Sequence, residues 1–326
     1  MKGVRRGVPS CSLFATRCDW RKINSASKGL DAAYIITRGD HPRLDHQSTR
    51  LAKEVDAVFA LCSEMPKFTS QNSSTSASFL QLDRSWLENT PSFAHAPSCR
   101  EVLMRKFSIP YKRNFAIAHA RLNKFRYILL IDDDIIFRDG IGRRAKAILI
   151  NGAAAYGTYS LYHPDKSITD LWLHKERGLA PVVAISGNCI ALDVDRPLSF
   201  FPEVYNEDWL FFQALIELQG GKIVGGENVV QLPPRPKSLE QAKFQQFGEV
   251  LAGCLITPAS DNGPSLFDLT SKSHVERILH ERQCSLRSLE IMWDGLDGVL
   301  HEILSISPEQ IIDFSSEFIE KNANAW

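Results

Sequence analysis

Three consecutive carboxylates, Asp132, Asp133 and Asp134, interrupt the apolar run "YILLIDDDIIF" at residues 127–137. Like charges this close repel one another, so the cluster invites a cation. Hard oxygen donors suit Mg2+ or Mn2+, with the phosphates of a ligand completing the shell. The plain alternative is a solvated acidic turn, or carboxylates matched by a nearby arginine. A second acid pair, Glu207 and Asp208 in "YNEDWLFFQAL", stands where a helix begins. A positioned carboxylate can act as a general base. It can equally do no more than favour the positive end of the helix.

The segments around these acids read as alternating strands and helices. Strands are expected at Ala32–Arg38, Asp56–Cys62 and in "RYILLI", the last continuously apolar as in a central parallel strand. A helix is expected from about Ser48. Another is expected after Pro110 in "YKRNFAIAHARLNKF", where Phe115, Ala118 and Leu122 recur at helical spacing. "AAAYGTYSLYH", "APVVAIS" and "CIALDV" read as strands, with Gly187 and Asn188 in a turn between the last two. "NEDWLFFQALIELQGG" reads as a buried helix, with Asn206 as its N-cap and Gly220 or Gly221 as its stop. "KIVGGENVVQL" reads as two short strands. Helices follow at roughly Leu239–Leu255, His274–Leu289 and Pro308–Lys321. Thr69–Ser78 reads as a polar surface loop or a mobile lid. The alternation implies an α/β sandwich with a mainly parallel sheet, then a helical appendix.

The chain has 326 residues, 44% of them hydrophobic, ample for a packed core. Lys plus Arg and Asp plus Glu both total 38, which argues against bulk attraction to nucleic acid or membrane. No apolar run approaches the about 20 residues that span a bilayer. The basic N-terminus lacks the apolar core of a secretory signal and reads as a frayed tail or a transit peptide. Seven cysteines are scattered without a C-x-x-C pair. They fit reduced thiols of a cytoplasmic protein, with Cys62, Cys189 and Cys254 as core positions.

Taken in order, "RNFAIAHARLNKFRYILLIDDDI", "SGNCIALDV" and "YNEDWLFFQAL" make the sequence resemble the nucleotide-sugar glycosyltransferases of GT-A fold, most closely the family-2-like group. The resemblance covers roughly Ala32 to Leu232. It implies a three-layer GT-A sandwich with a mainly parallel central sheet and a C-terminal helical extension. The corresponding division is a flexible basic segment at 1–30, a catalytic domain at 31–257 and helices at 258–326.

The resemblance also implies roles. Asp132 would face the ribose or a metal-bound water, and Asp134 would ligate Mn2+ or Mg2+. Asp133 fills the variable middle place of this D-x-D motif and can substitute in either role. Thr37 and Arg38 would lie against base and ribose. Arg113 would approach the base or diphosphate, its alternative being an ordinary exposed helix cation. Gly187 and Asn188 would border the donor sugar, the missing side chain leaving room for the ring. Asp208 would be the catalytic base and Glu207 would hold hydroxyls. Phe200, Phe201 and Tyr205 would be acceptor wall or core. His163 reads as an extra metal ligand or, like most lone histidines, as structural, and Arg235 and Lys237 as a closing cationic segment or a linker.

The implied activity is metal-dependent transfer of a hexose from a nucleotide-diphosphate sugar, UDP-linked, to an unidentified acceptor hydroxyl, with inversion. No nucleic-acid partner and no transmembrane segment are expected, and a homo-oligomer is left open. One rival is a nucleotidyltransferase that makes such sugars, although "IITRGDHPRLDH" lacks the Gly-rich phosphate loop it would carry. The other is a non-catalytic binder of nucleotide sugar or glycan, since fold does not establish function.

Overall fold

The computed structural model describes residues 16–17, 29–37, 43–62, 76–82, 109–161, 185–231, 239–257, 259, 263, 265–290 and 297–323. Arg38, His163, Arg235, Lys237, Cys11, Cys18, Cys99 and positions 69–75 of the polar stretch lie outside these residues.

Strands β1 (Thr16–Arg17), β2 (Leu30–Thr37), β3 (Val55–Cys62), β4 (Ser78–Gln81), β5 (Tyr127–Asp132), β6 (Ile135–Ile136), β7 (Ala155–Leu161), β8 (Ile185–Asp193) and β9 (Ile223–Gln231) form one sheet. The spatial order is β1-β9-β7-β8-β5-β2-β3-β4, with β6 against β9. Strand β8 is antiparallel to both neighbours and β6 to β9. The remaining pairings are parallel.

Helices cover both faces, which is why β2 and β5 are apolar on both sides. Alternate residues of β5 go to opposite layers. Leu129 and Ile131 pack with Leu44 and Leu51 of α1 (Leu44–Leu51) and with Ile141, Ala145 and Ile148 of α3 (Ile141–Ile150). Ile128 and Leu130 pack under α2 (Ile109–Leu122) and α4 (Glu207–Glu217). The second layer continues through α5 (Leu239–Ile256), α6 (Lys272–Glu290), α7 (Asp297–Ser305) and α8 (Pro308–Ala323). Leu130, Trp209, Phe212, Leu251, Phe314 and Phe318 belong to one continuous core. This is the three-layer arrangement expected for a GT-A fold, with the helical extension packed into the same core. Among the described residues no helix is long and apolar enough to cross a membrane. Cys62, Cys189 and Cys254 are buried and free, as expected of core thiols.

Several local expectations change. The stripe Phe115, Ala118 and Leu122 is not the inner face of α2, for Leu122 is 82% exposed. Ala116, Ile117 and Ala120 face inward instead, and the two alanines put little bulk between the helix and the sheet. The two strands expected either side of Gly187 and Asn188 are one buried strand, β8. Gly157 pairs with Ile190 but the next residue, Thr158, pairs with Ser186. Gly187, Asn188 and Cys189 therefore form a bulge against β7, which re-aims the strand locally. "KIVGGENVVQL" is likewise one strand, with its own irregularity against β7. Helix α1 begins at Leu44, ahead of Ser48. The N-terminal tail read as frayed contributes β1, paired to Val224 and Gly225. Strand β4 and helices α3 and α7 had no counterpart in the expected pattern.

Candidate active site

Ile36 of β2 stands opposite Asp132 of β5 in a parallel pair. Thr37 and the aspartates therefore leave the sheet side by side at its carboxyl edge, where ligands of open α/β sheets collect. Strands β7 and β9 end at this edge, and antiparallel β8 begins there. The edge thus gathers Thr37, Asp132–Asp134, Ser160, Gly187, Asn188 and Gln231.

Arg113, in the first turns of α2, joins the two acidic groups. Its Nη1 donates to Glu207 Oε1 at 2.7 Å, and its Nη2 to Asp132 Oδ1 and Oδ2 at 3.2 and 3.3 Å. It is 3% exposed, so it is neither a solvated helix cation nor an arginine reaching freely towards a ligand. Burial alone would lower its pKa, but Asp132, Glu207 and Asp208 together raise it. The neighbouring Asn114 explains why the pair is Arg-Asn. Its amide donates to the carbonyl of Phe201 at 2.8 Å and accepts from the Phe201 N–H at 2.9 Å. That clamp puts the Phe201 ring beneath the guanidinium, 5.5 Å from centroid to Cζ. Phe201 is fully buried and stacks on Phe211 at 3.9 Å. It is core and cannot be an acceptor wall; Phe200 and Tyr205 are half-buried.

The acid pair divides. Asp208 is 4% exposed; its Oδ2 accepts from the Gly187 N–H at 2.7 Å and its Oδ1 from the Trp209 N–H at 3.0 Å. Glu207 keeps a side chain 13% exposed. Asn206 occupies the N-cap position but does not cap: its backbone is left-handed, with φ 62, and its side chain makes no cap hydrogen bond. The space beside Gly187 is not open to a sugar ring. A Cβ there would meet Asp208 Cβ at 2.6 Å and Arg113 Nη1 at 2.7 Å. Glycine is needed because those two side chains close on it.

Asp132 sits in a field that resists its ionisation. Burial pushes its pKa up to about 8; the Arg113 charge opposes this, and Asp134 and Asp133 add to it. Burial and like charge together outweigh the guanidinium. Asp134 Oδ2 accepts from Gln231 Nε2 at 3.3 Å. Gln231 Oε1 in turn accepts from Asn188 Nδ2 at 3.2 Å, and Asn188 Nδ2 also donates to Ser160 Oγ at 2.5 Å. Asp133 lies on the other side, where it and Lys112 act in opposite senses on the buried Cys62 thiol.

The sequence pattern did not single out Lys112, Gln47 or Gln231. Lys112 is buried, and its Nζ donates to the Thr37 carbonyl at 2.6 Å. Its signal was available, since it directly precedes Arg113 in the same turn. Gln47 of α1 donates to the carbonyls of Asp132 at 2.9 Å and Ile135 at 3.4 Å, gripping the acidic turn from the opposite layer.

Among the described residues, no three His, Cys, Asp or Glu side chains are placed to hold a metal ion. The donor set still fits a magnesium-type cation, which is held by one or two carboxylates with waters and ligand phosphates. Asp132, Asp133 and Asp134 supply carboxylate oxygens at one strand end, the donor chemistry such a cation takes.

No protein-family model matches the sequence, and no curated protein matches it. Among solved structures, the chain is similar to glucosyl-3-phosphoglycerate synthase from Mycobacterium tuberculosis, with 13% identity and a TM-score of 0.48 over 71% of this chain and 82% of that one. The same enzyme in complex with Mn2+, uridine diphosphate and phosphoglyceric acid gives 13% identity and a TM-score of 0.46, over 71% and 80%. A putative glucose-1-phosphate thymidylyltransferase from Bacillus anthracis, in complex with a sucrose, gives 10% identity and a TM-score of 0.37, over 60% and 86%. Likenesses at these levels do not extend to what this chain binds or does.

Proposed function

We propose that the chain is a glycosyltransferase that moves a sugar from a nucleoside-diphosphate donor, UDP-linked, to an acceptor hydroxyl with inversion at the anomeric carbon. The observation that carries the proposal is the convergence of Asp132, Arg113 and Glu207 at the carboxyl edge of the sheet, from a strand and two different helices. Asp134 and Asp132 would hold Mn2+ or Mg2+, which when bound neutralises the diphosphate leaving group. Thr37 and Lys112 line the side where the nucleoside would lie, with Asp133 next to them. Arg113 offsets the charge of Asp132 and aims Glu207.

In this proposal the base is Glu207 and not Asp208. Both oxygens of Asp208 accept backbone N–H bonds at a residue 4% exposed, whereas Glu207, although bonded to Arg113, keeps a side chain 13% exposed for an acceptor hydroxyl to reach. Glu207 takes the proton of the acceptor hydroxyl as that oxygen bonds to the anomeric carbon. The bond to the diphosphate oxygen breaks with its electron pair leaving on the diphosphate. Asp208 holds Gly187, and through it the bulge that carries Asn188. A cytoplasmic location accords with the buried free thiols of Cys62, Cys189 and Cys254.

A panel of nucleoside diphosphates and nucleotide sugars, with and without Mn2+, tests the proposal by thermal shift and by transfer or hydrolysis of the donor. A ligand binding only the folded state raises stability by about 2.7 kcal/mol at a hundredfold excess over Kd. Stabilisation by a UDP-sugar with turnover supports the enzyme. Binding without turnover indicates a non-catalytic binder, and nucleotide-sugar synthesis from a nucleoside triphosphate and a sugar phosphate indicates a nucleotidyltransferase.

A further inference from the structure

We infer that Glu249 and Arg282, in the C-terminal helices, are positioning residues for the Glu207–Asp208 pair. The inference rests on the reading above that this pair serves the chemistry. Asn206, immediately before α4, has φ 62 and ψ 33. Asparagine enters this left-handed conformation more readily than other residues bearing a side chain, so what fixes Asn206 there is read from the partner its side chain holds. The side chain of Asn206 turns away from its own helix, and its Nδ2 donates to Glu249 Oε1 on α5 at 3.3 Å. Glu249 Oε2 lies 3.4 Å from Arg282 Nη1 on α6, these side chains being 5% and 11% exposed. Arg282 Nε also donates to Gln246 Oε1 at 3.2 Å. Beside this chain of contacts, α5 presses on the residue before Asn206: a Cβ on Gly248 would lie 2.0 Å from the Tyr205 carbonyl oxygen. The far end of α4 is held by the same layer, where Glu217 Oε2 accepts from the Leu266 N–H at 3.0 Å and the Ser265 hydroxyl at 3.2 Å.

A buried ion pair adds little net stability, because desolvation offsets the attraction; its better-attested use is to fix register. The register at stake here is the starting point of α4. One residue of slip turns a helical side chain through about 100°. Glu207 would then lose Arg113, and Asp208 would lose the Gly187 N–H. Glu249, steadied by Arg282, holds Asn206 left-handed and so keeps the first turn of α4 in phase with β8.

The test uses the full chain carrying Glu249→Gln, with Arg282→Lys and Asn206→Gly as companions. The last keeps access to φ above zero but removes the tether. The first readout is hydrogen exchange at the Gly187 amide, which reports the bond to Asp208. Exchange there should quicken about tenfold or more while the amides of β5 hold their rates. The second is Mn2+-dependent transfer: kcat should fall about tenfold or more with the donor KM within about twofold, and Glu249→Gln should add nothing on a Glu207→Gln background. Unchanged exchange at Gly187, or equal quickening in β5, overturns the inference. If Gly187 responds while the unaltered protein transfers no sugar, the positioning role stands and the glycosyltransferase reading falls. Should Glu249→Gln not fold, the two companions decide by the same measures.

Discussion

The Gly187 N–H donates to Asp208 Oδ2 at 2.7 Å, fastening a bulge in β8 to the start of α4. The bond explains two features together. A glycine stands in a fully buried strand because Arg113 and Asp208 both close on it, and an aspartate at a helix start is consumed in holding a strand. Gly187→Ala should therefore cost about 1–3 kcal/mol through overpacking. The check is a urea midpoint that falls with unchanged slope, together with loss of nucleotide binding.

The two acids of α4 should respond differently to neutralisation. Glu207→Gln should lower turnover by about 10²–10⁴-fold with donor affinity nearly unchanged. Asp208→Asn should mainly reduce stability, by about 1–3 kcal/mol, because a buried N–H partner is lost or weakened. Steady-state kinetics and melting curves on both variants separate the roles. The opposite pattern would return the base to Asp208.

Metal binding should depend on pH with a definite sign. Asp132 titrates at about 8 in the folded chain, above an unfolded carboxylate at about 4. Its protonated form thus contributes stability that is present in full below the unfolded pKa and lost as pH rises through the folded one. A cation needs the ionised form, so stabilisation by Mn2+ should grow from pH 6 towards pH 8, by about tenfold in affinity per pH unit at most. Melting temperatures with and without Mn2+ across this range give the answer. A flat difference would remove Asp132 from the ligand set, and unchanged Mn2+-dependent nucleotide affinity in Asp134→Ala would remove Asp134.

A chain ending at Thr257 should not fold cooperatively. Phe314 and Phe318 of α8 belong to the same core as Trp209 and Phe212 of α4, and truncation leaves that surface bare. Loss of a sharp thermal transition, with binding of a hydrophobic dye, is the expected outcome. A soluble, cooperatively melting fragment would show that α4 is stable without the layer above it.

The sheet was legible because its central strands are short, continuous and apolar. Tyr127–Asp132 stands out by composition alone, and so does the abrupt change to three aspartates. Helix α4 was legible for the same reason. The strand through Gly187 and Asn188 was not, because that pair is the usual chemistry of a turn and a bulge leaves no periodic mark. The inner face of α2 was misread because Ala116 and Ala120 carry little hydrophobic weight, whereas Phe115 and Leu122 carry much. The site acids were visible as charges. Their pairing was not: Arg113 and Glu207 are 94 positions apart, and only folding makes them neighbours.

Gln47 holds the carbonyls of Asp132 and Ile135 from beneath the sheet, which makes the acidic turn the common property of both helical layers. A loop exchange intended to give this edge a new ligand preference cannot stop at residues 132–135. Transplanted without a glutamine at position 47, the turn would arrive without the side chain that ties its two ends together, and its carboxylates would lose that anchor.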